Sequence, residues 1–408
     1  MFIREHTKAT SNHAGYFSLD KAVNEACLSK DEAYNLIYFY GSELEQLCSI
    51  AAQMRDKGKG TNITFSPKVF IPLTHLCRDY CGYCTFRVDP EQATRLYMSP
   101  DEVLKVAQIA ETLGCTEALF TLGERPEQRY PEARDWLTKM GYKTTLEYLS
   151  QMCKLVIEET QLLPHANPGT MTYREVEDLK NYNPSMGLML ESTSPTLYAN
   201  GGPHEFAPSK RPRVRLRTIE IAGELRVPFT TGILIGIGES LDDRIESLLA
   251  IRRIHNQHGN IQEVIIQNFR SKSRTPMEKV PDATEKDLLW TIAAARLILG
   301  AEANIQVPPN LSSANYENFL DAGINDWGGV SPLTIDYVNP EAPWPLLTDL
   351  RDRTRSKGFE LQPRLSVYPE YFIGTDYYLP VELKDKVMSM SNSNGYIRGG
   401  IQRYVGND

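Results

Sequence analysis

KVFIPLTHLCRDYCGYCTFR, residues 68–87, joins an apolar, β-branched run to a loop that holds three of the chain's seven cysteines. The run has the composition of a strand buried on both faces in a parallel sheet. The loop behind it spaces Cys77, Cys81 and Cys84 as C-x3-C-x2-C. Reactive residues carried just past the C-terminal end of a strand are how α/β folds build their sites.

The same unit recurs along the chain. The next strand candidates are EALFTL (117–122), LLPHA (162–166), MGLML (186–190) and PFTTGILI (228–235), followed by IQEVIIQ (261–267), ANIQV (303–307) and GINDWGG (323–329). Helical stretches stand between them. SPDEVLKVAQIAETLG predicts a helix opened by Ser99 as N-cap, with Pro100 in the first turn, Glu102 closing a capping box and Gly114 as the left-handed stop. Ser240 with Asp243 and Thr284 with Asp287 mark two more starts.

Eight strand–helix alternations argue for parallel strands joined by right-handed crossovers. The simplest closure is an α/β fold of the TIM type, a (β/α)8 barrel; an open doubly wound sheet is the other topology. Residues 1–64 read as an N-terminal helical extension, 65–335 as the barrel, and 336–408 as a C-terminal appendage and tail.

At 41% hydrophobic and 24% charged residues, a chain of 408 can bury a core without disulfides. A net charge of −8 offers nothing to nucleic acid or to an anionic membrane surface. The densest basic run is SKRPRVRLR (209–217). MFIREHTKATSNH at the N-terminus lacks the apolar core of a signal peptide, and no apolar run reaches membrane-spanning length. Cys27, Cys48, Cys115 and Cys153 fall on helical stretches and read as small buried hydrophobes. An odd cysteine count without framework spacing fits a reducing, cytoplasmic setting.

The residues that follow each strand candidate are polar or glycine: Gly123-Glu124, PHANPG (164–169), Glu191-Ser192, GILIGIGE (232–239), QNFR (267–270), PPN (308–310) and DWGGVSP (326–332). The cysteine triplet has three chemical readings. Zinc would need a fourth ligand, for which His75 is the local candidate, in a zinc-stabilised binding module. An electron-transfer cluster would use four cysteines. Three thiolates on a four-iron cluster leave one iron open, as a catalyst requires.

C-x3-C-x2-C with Tyr83 just before the last cysteine, after a first barrel strand, resembles the radical S-adenosylmethionine superfamily. The resemblance implies a [4Fe–4S] cluster on Cys77, Cys81 and Cys84, with S-adenosylmethionine at the open iron. It implies that Gly123 and Glu124 meet the methionine amino group. Gly232, Leu234 and Gly236 of GILIGIGE would lie along the adenine, while Glu191 and Arg215 would hold the ribose or amino group and the carboxylate.

PLTHLCRDYCGYCTFR, LFTLGERPE, LPHANPGTM, EVIIQNFR, PPNLS and DWGGVSPLTIDYVNPEAPWP are together similar to the 7,8-didemethyl-8-hydroxy-5-deazariboflavin (FO) synthase family, specifically its ring-closing half. That resemblance covers about residues 65–350. It implies a radical lyase that closes the deazaflavin ring with release of ammonia, in coenzyme F420 biosynthesis. Its partners would be a subunit that joins a tyrosine-derived hydroxybenzyl group to 5-amino-6-ribitylaminouracil, and a low-potential electron donor. His165, Asn167, Asn268, Asn310 and Asp326 are the expected substrate contacts, with Gly328-Gly329 allowing close backbone approach. Sister enzymes of the same chemistry are the alternatives: the tyrosine-processing partner, a menaquinone-pathway enzyme, or biotin synthase.

Overall fold

The computed structural model describes residues 28–312 and 314–406. Eight parallel strands close into a barrel: β1 (Asn62–Thr74), β2 (Glu117–Leu122), β3 (Leu163–Asn167), β4 (Ser185–Gly187), β5 (Phe229–Ile235), β6 (Ile261–Asn268), β7 (Ile305–Gln306) and β8 (Asp326–Val330). Closure is made by β1, which pairs with β2 through Lys68–Thr74 and with β8 through Thr64–Pro67. Pro72 is accommodated because its nitrogen, like the Phe70 amide that donates to Thr334, faces the β8 side, where the β1–β8 ladder has already ended at Pro67.

The helix starts read from the sequence are present as capping boxes. Ser99 with Glu102, Ser240 with Asp243 and Thr284 with Asp287 each exchange side-chain and backbone hydrogen bonds. Gly114, at φ +84, turns the chain from helix Pro100–Thr112 toward β2. Cys115 lies beyond that helix, in the turn before β2, and is buried, as are Cys48 and Cys153 within their helices. Cys27 and the rest of residues 1–27 lie outside the described residues.

The fourth strand is shorter than its sequence suggests. Its ladder ends at Gly187, and the chain returns to the sheet only at a bridge between Glu191 and Ile233. Glu191 sits at φ +67, a left-handed conformation uncommon outside glycine, so the backbone turns sharply where the ladder has opened.

A ninth strand, β9 (Glu360–Pro363), pairs in parallel with Asn62–Phe65 of β1. Thr64 pairs with both β8 and β9, so the two lie on opposite edges and β9 occupies the edge of β1 below the start of β2. The following residues close the N-terminal end of the barrel. Ser366 accepts at its carbonyl from Ser185, first residue of β4, and from Gln262 in β6. Leu365, Val367, Tyr368 and Phe372 pack with Leu163 in a small core of their own. At the other end of the chain, helix Leu44–Lys59 packs against helix Glu285–Leu299. Its buried Arg55 donates to the carbonyls of Leu320 and Ile324 at 3.0 and 2.6 Å.

Candidate active site

A cavity of about 350 Å³ runs down the barrel from the cysteine loop. The loop is fixed by backbone before any ligand is considered. Arg78 donates its amide to Glu124 at 2.7 Å, Tyr80 to Phe206 at 3.0 Å and Gly82 to Pro203 at 2.7 Å. The guanidinium groups of Arg87 and Arg129 stand against the Tyr80 ring, 3.6 and 4.1 Å from its centroid.

Gly123 lets the end of β2 press against this loop. A Cβ there would stand 2.0 Å from the Leu76 carbonyl oxygen and 2.7 Å from the Cys77 Cβ. The next amide, of Glu124, donates to the Cys77 sulfur at 3.2 Å. Gly123→Ala should therefore cost about 1–3 kcal/mol through overpacking and displace Cys77. Urea unfolding and iron bound per chain after anaerobic reconstitution check both; full iron with unchanged stability would contradict the clamp.

Cys77, Cys81 and Cys84 all line the cavity. Burial pushes the Cys77 thiol up to about 12 and raises Cys81 as well. Three thiolates here need positive charge beside them, which is what iron supplies. His75, the candidate fourth zinc ligand, is engaged elsewhere: its Nδ1 bonds the Phe86 carbonyl at 2.9 Å and its ring packs on Phe86 at 4.4 Å. The donor set fits a cluster held by three thiols on one loop.

Around the loop stands a shell of charge. Glu191 is ion-paired to Lys210, and Arg215 lies 3.7 Å from the same carboxylate oxygen. Burial works to raise the Glu191 carboxyl, but Lys210 and Arg215 outweigh it and hold the group below its ordinary range. Arg215 also donates to the carbonyls of Ser209 and Met189. Glu124 accepts from the Thr170 amide and hydroxyl at 3.0 and 2.5 Å. On the apolar side, Leu234 joins Leu197, Ile237, Phe269 and Met277, with Tyr83 against them. Tyr83 hydrogen-bonds His204 at 2.9 Å.

The structure brings Tyr83, Gly123, Glu124, Glu191, Arg215, Leu234, His165 and Asn167 to the cavity wall with the cysteines. Gly329 also lines the cavity, whereas Gly232, Gly236, Asn268, Asn310, Asp326 and Gly328 stand outside that lining. Gly232 packs against β6, where a Cβ would meet the Ile265 carbonyl oxygen at 2.2 Å. Gly236 donates its amide to Glu239 at 2.8 Å. Asn268 reaches the Leu311 carbonyl at 3.4 Å, and Asn310 holds Asp336 and the Ala342 carbonyl at 3.1 Å. Asp326 is fully buried in a bidentate pair with Arg364 at 2.6 and 3.1 Å. The Gly328-Gly329 pair makes room for neighbours: Cβ atoms there would meet Gln306 Nε2 at 2.0 Å and Lys68 Cδ at 2.3 Å.

Sequence reading passed over Lys210, which belongs to the basic run around Arg215 but faces the cavity, and Lys68, Glu117, Glu263, Arg364 and Ser366 lower down. For Lys68, Glu117 and Glu263 a signal existed: each is a charge inside or at the start of an apolar strand. Arg364 and Ser366 carried none.

His165 is 6% exposed and hydrogen-bonds Ser185 through Nδ1 at 2.7 Å. Burial lowers its pKa from 6.5 to about 4. A histidine depressed in the folded state contributes stability that is present above its unfolded value and lost as pH falls through the folded one. Between pH 7 and pH 4 the wild type should thus lose about 3 kcal/mol more than His165→Gln. Paired urea titrations check this, and parallel pH curves for the two proteins would contradict it.

Residues 71–251 match the radical SAM superfamily. Over 336 residues the chain is 50% identical to the 7,8-didemethyl-8-hydroxy-5-deazariboflavin synthase of Methanopyrus kandleri, covering 82% of this chain and 100% of that protein. It is 48% identical over 385 residues to the FO synthase of Streptomyces coelicolor, covering 92% of this chain but 44% of that protein. The chain thus spans less than half the length of such relatives. Among solved structures, the FeFe-hydrogenase maturase HydG from Carboxydothermus hydrogenoformans superposes with a TM-score of 0.71 at 20% identity, covering 90% of this chain and 83% of that one. Methylornithine synthase (PylB) gives 0.64 at 19% identity, covering 84% and 97%. At these identities the two structures speak to the fold alone.

Proposed function

The chain belongs to the radical SAM superfamily and, within it, to the 7,8-didemethyl-8-hydroxy-5-deazariboflavin synthase family, and from that premise we propose that it closes the deazaflavin ring. The family's cofactors are a [4Fe–4S] cluster and S-adenosylmethionine. The substrate in this reading is the hydroxybenzyl adduct of 5-amino-6-ribitylaminouracil made by a partner enzyme. The products are 7,8-didemethyl-8-hydroxy-5-deazariboflavin, ammonia, methionine and 5′-deoxyadenosine. The observation that carries the reading is the match over the whole length of the Methanopyrus kandleri protein, together with three cysteines on one wall of a cavity.

Cys77, Cys81 and Cys84 would hold the cluster, which as a three-thiolate site would have room to take up S-adenosylmethionine. When bound, the pair supplies a 5′-deoxyadenosyl radical by one-electron cleavage, with the electron drawn from a low-potential donor. Gly123 and Glu124 face the amino group, with the Glu124 carboxylate already oriented by Thr170. Lys210 and Arg215 offer cations for a carboxylate, and Glu191 an acceptor for ribose hydroxyls. Leu234 and Tyr83 give the adenine an apolar wall. Beyond them His165, neutral at working pH, and Asn167 contact the substrate, while Asn268, Asn310 and Asp326 brace that wall from behind. The barrel keeps water and foreign hydrogen donors from the reacting atoms.

No helix of the described residues is long and apolar enough to cross a membrane, and a reducing cytoplasm suits the free thiols of the cavity. The test is anaerobic incubation of the reduced, reconstituted protein with the partner's product. Equal amounts of 5′-deoxyadenosine, ammonia and deazaflavin are expected; 5′-deoxyadenosine without deazaflavin would assign the chain to a sister enzyme.

A further inference from the structure

The cavity continues well below the cysteines. Glu117 opens β2 and Gly123 follows its end, so at about 3.3 Å per residue the wall between them spans roughly 20 Å. At the lower end Lys68, Glu117, His165, Glu263, Arg364 and Ser366 line the space. Lys68 stands 2.9 Å from a Glu117 carboxylate oxygen, and the Ser66 hydroxyl donates to the other oxygen. Arg364 donates to Glu263 at 2.6 Å, where the Tyr368 hydroxyl also donates at 3.0 Å.

Two features separate this floor from a purely structural plug. Ser366 is a cavity-lining residue only 1% exposed, and among the described residues its buried hydroxyl has no hydrogen-bond partner. The balance of charge is also informative. In the lining, two cations, Lys68 and Arg364, are paired with two carboxylates, Glu117 and Glu263, and Asp326 behind the wall also takes up Arg364. Burial, with Asp326 nearby, raises the Glu263 carboxyl against the pull of Arg364. The floor therefore carries no positive surplus. A phosphate dianion would meet carboxylates there, whereas a neutral chain of hydroxyls, each donor and acceptor at once, matches both kinds of group.

We infer that the barrel floor is the subsite for an unphosphorylated polyhydroxy chain, the ribityl arm of the substrate, which directs the ring-closing end toward the cysteine loop. This rests on the function proposed above. It makes Ser366, Lys68 and Glu117 specificity-determining residues contributed from opposite ends of the chain.

Three adducts on the wild-type enzyme test it without any variant: the ribityl compound, its 5′-phosphate, and one with N-methyl in place of ribityl. Leaving buried polar groups unpaired should lower kcat/KM at least roughly tenfold for the methyl compound, and the phosphate should fall comparably. Ser366→Ala should raise KM about 3–10-fold for the ribityl adduct and leave the methyl adduct unchanged. Equal kcat/KM for ribityl and methyl adducts, or a phosphorylated adduct as good as the free one, would overturn the subsite while leaving ring closure intact. If no adduct is closed, the functional reading fails instead. Calorimetric binding of 5-amino-6-ribitylaminouracil against its N-methyl analogue then decides the floor, with equal affinities overturning it.

Discussion

Cys77→Ala, Cys81→Ala and Cys84→Ala should each bring S-adenosylmethionine cleavage to background while leaving the far-ultraviolet circular dichroism of the barrel unchanged. The loop owes its shape to backbone hydrogen bonds from Arg78, Tyr80 and Gly82 to residues 124, 206 and 203. Removing one thiol breaks none of them. In the proposed site it would remove one of three ligands from a cluster that has no protein ligand to spare. Cys48→Ala and Cys153→Ala change a buried thiol within a helix and should retain iron, at a stability cost of about 1–2 kcal/mol. Iron and sulfide per chain, with 5′-deoxyadenosine formed under reduction, separate the two groups. A loop variant with full iron and full cleavage would remove that cysteine from the ligand set.

Arg364→Met should be the most destabilising single change in the barrel, lowering the unfolding free energy by about 3–5 kcal/mol. Its guanidinium is 2% exposed, donates twice to Asp326 and once to Glu263, and lies 4.3 Å from the centre of the Tyr368 ring. These contacts tie the segment after β9 to β6 and β8. Deleting the cation strands two carboxylates in a space that water reaches poorly, and the loss exceeds what the pair contributes relative to an apolar filling. Arg364→Lys keeps a charge without the planar fork and should fall between. Equilibrium urea unfolding near neutral pH reads the effect. A loss below about 1 kcal/mol would mean that water already screens the network.

What the sequence revealed follows how local each signal is. Capping boxes at Ser99, Ser240 and Thr284 were legible because both partners lie three residues apart. The cysteine loop was legible because its three thiols lie close together in one short segment, and all three line the cavity. The glycine at 123 was legible as a feature after a strand, but its cause, the approach of Leu76, required the fold. Asn310 and Asp326 looked like substrate contacts because they follow or open strands, yet the Asn310 amide nitrogen is taken up by Asp336 and the Asp326 carboxylate by Arg364, partners distant in sequence. The same distance hid the floor. Nothing around Ser366 or Arg364 announces that a segment after the eighth strand returns beneath the barrel. Lys210 was obscured by its own neighbours, since one basic run contains both a cavity residue and solvated arginines such as Arg217.

In the proposed site, three thiols of one loop hold a cluster with one iron left for S-adenosylmethionine. Mössbauer spectroscopy of the anaerobically reconstituted protein, with and without S-adenosylmethionine, tests it most directly. The expected result is a single [4Fe–4S] cluster in which one iron of the four changes its parameters when S-adenosylmethionine is added. Bound zinc in place of iron, or four irons indifferent to S-adenosylmethionine, would contradict it.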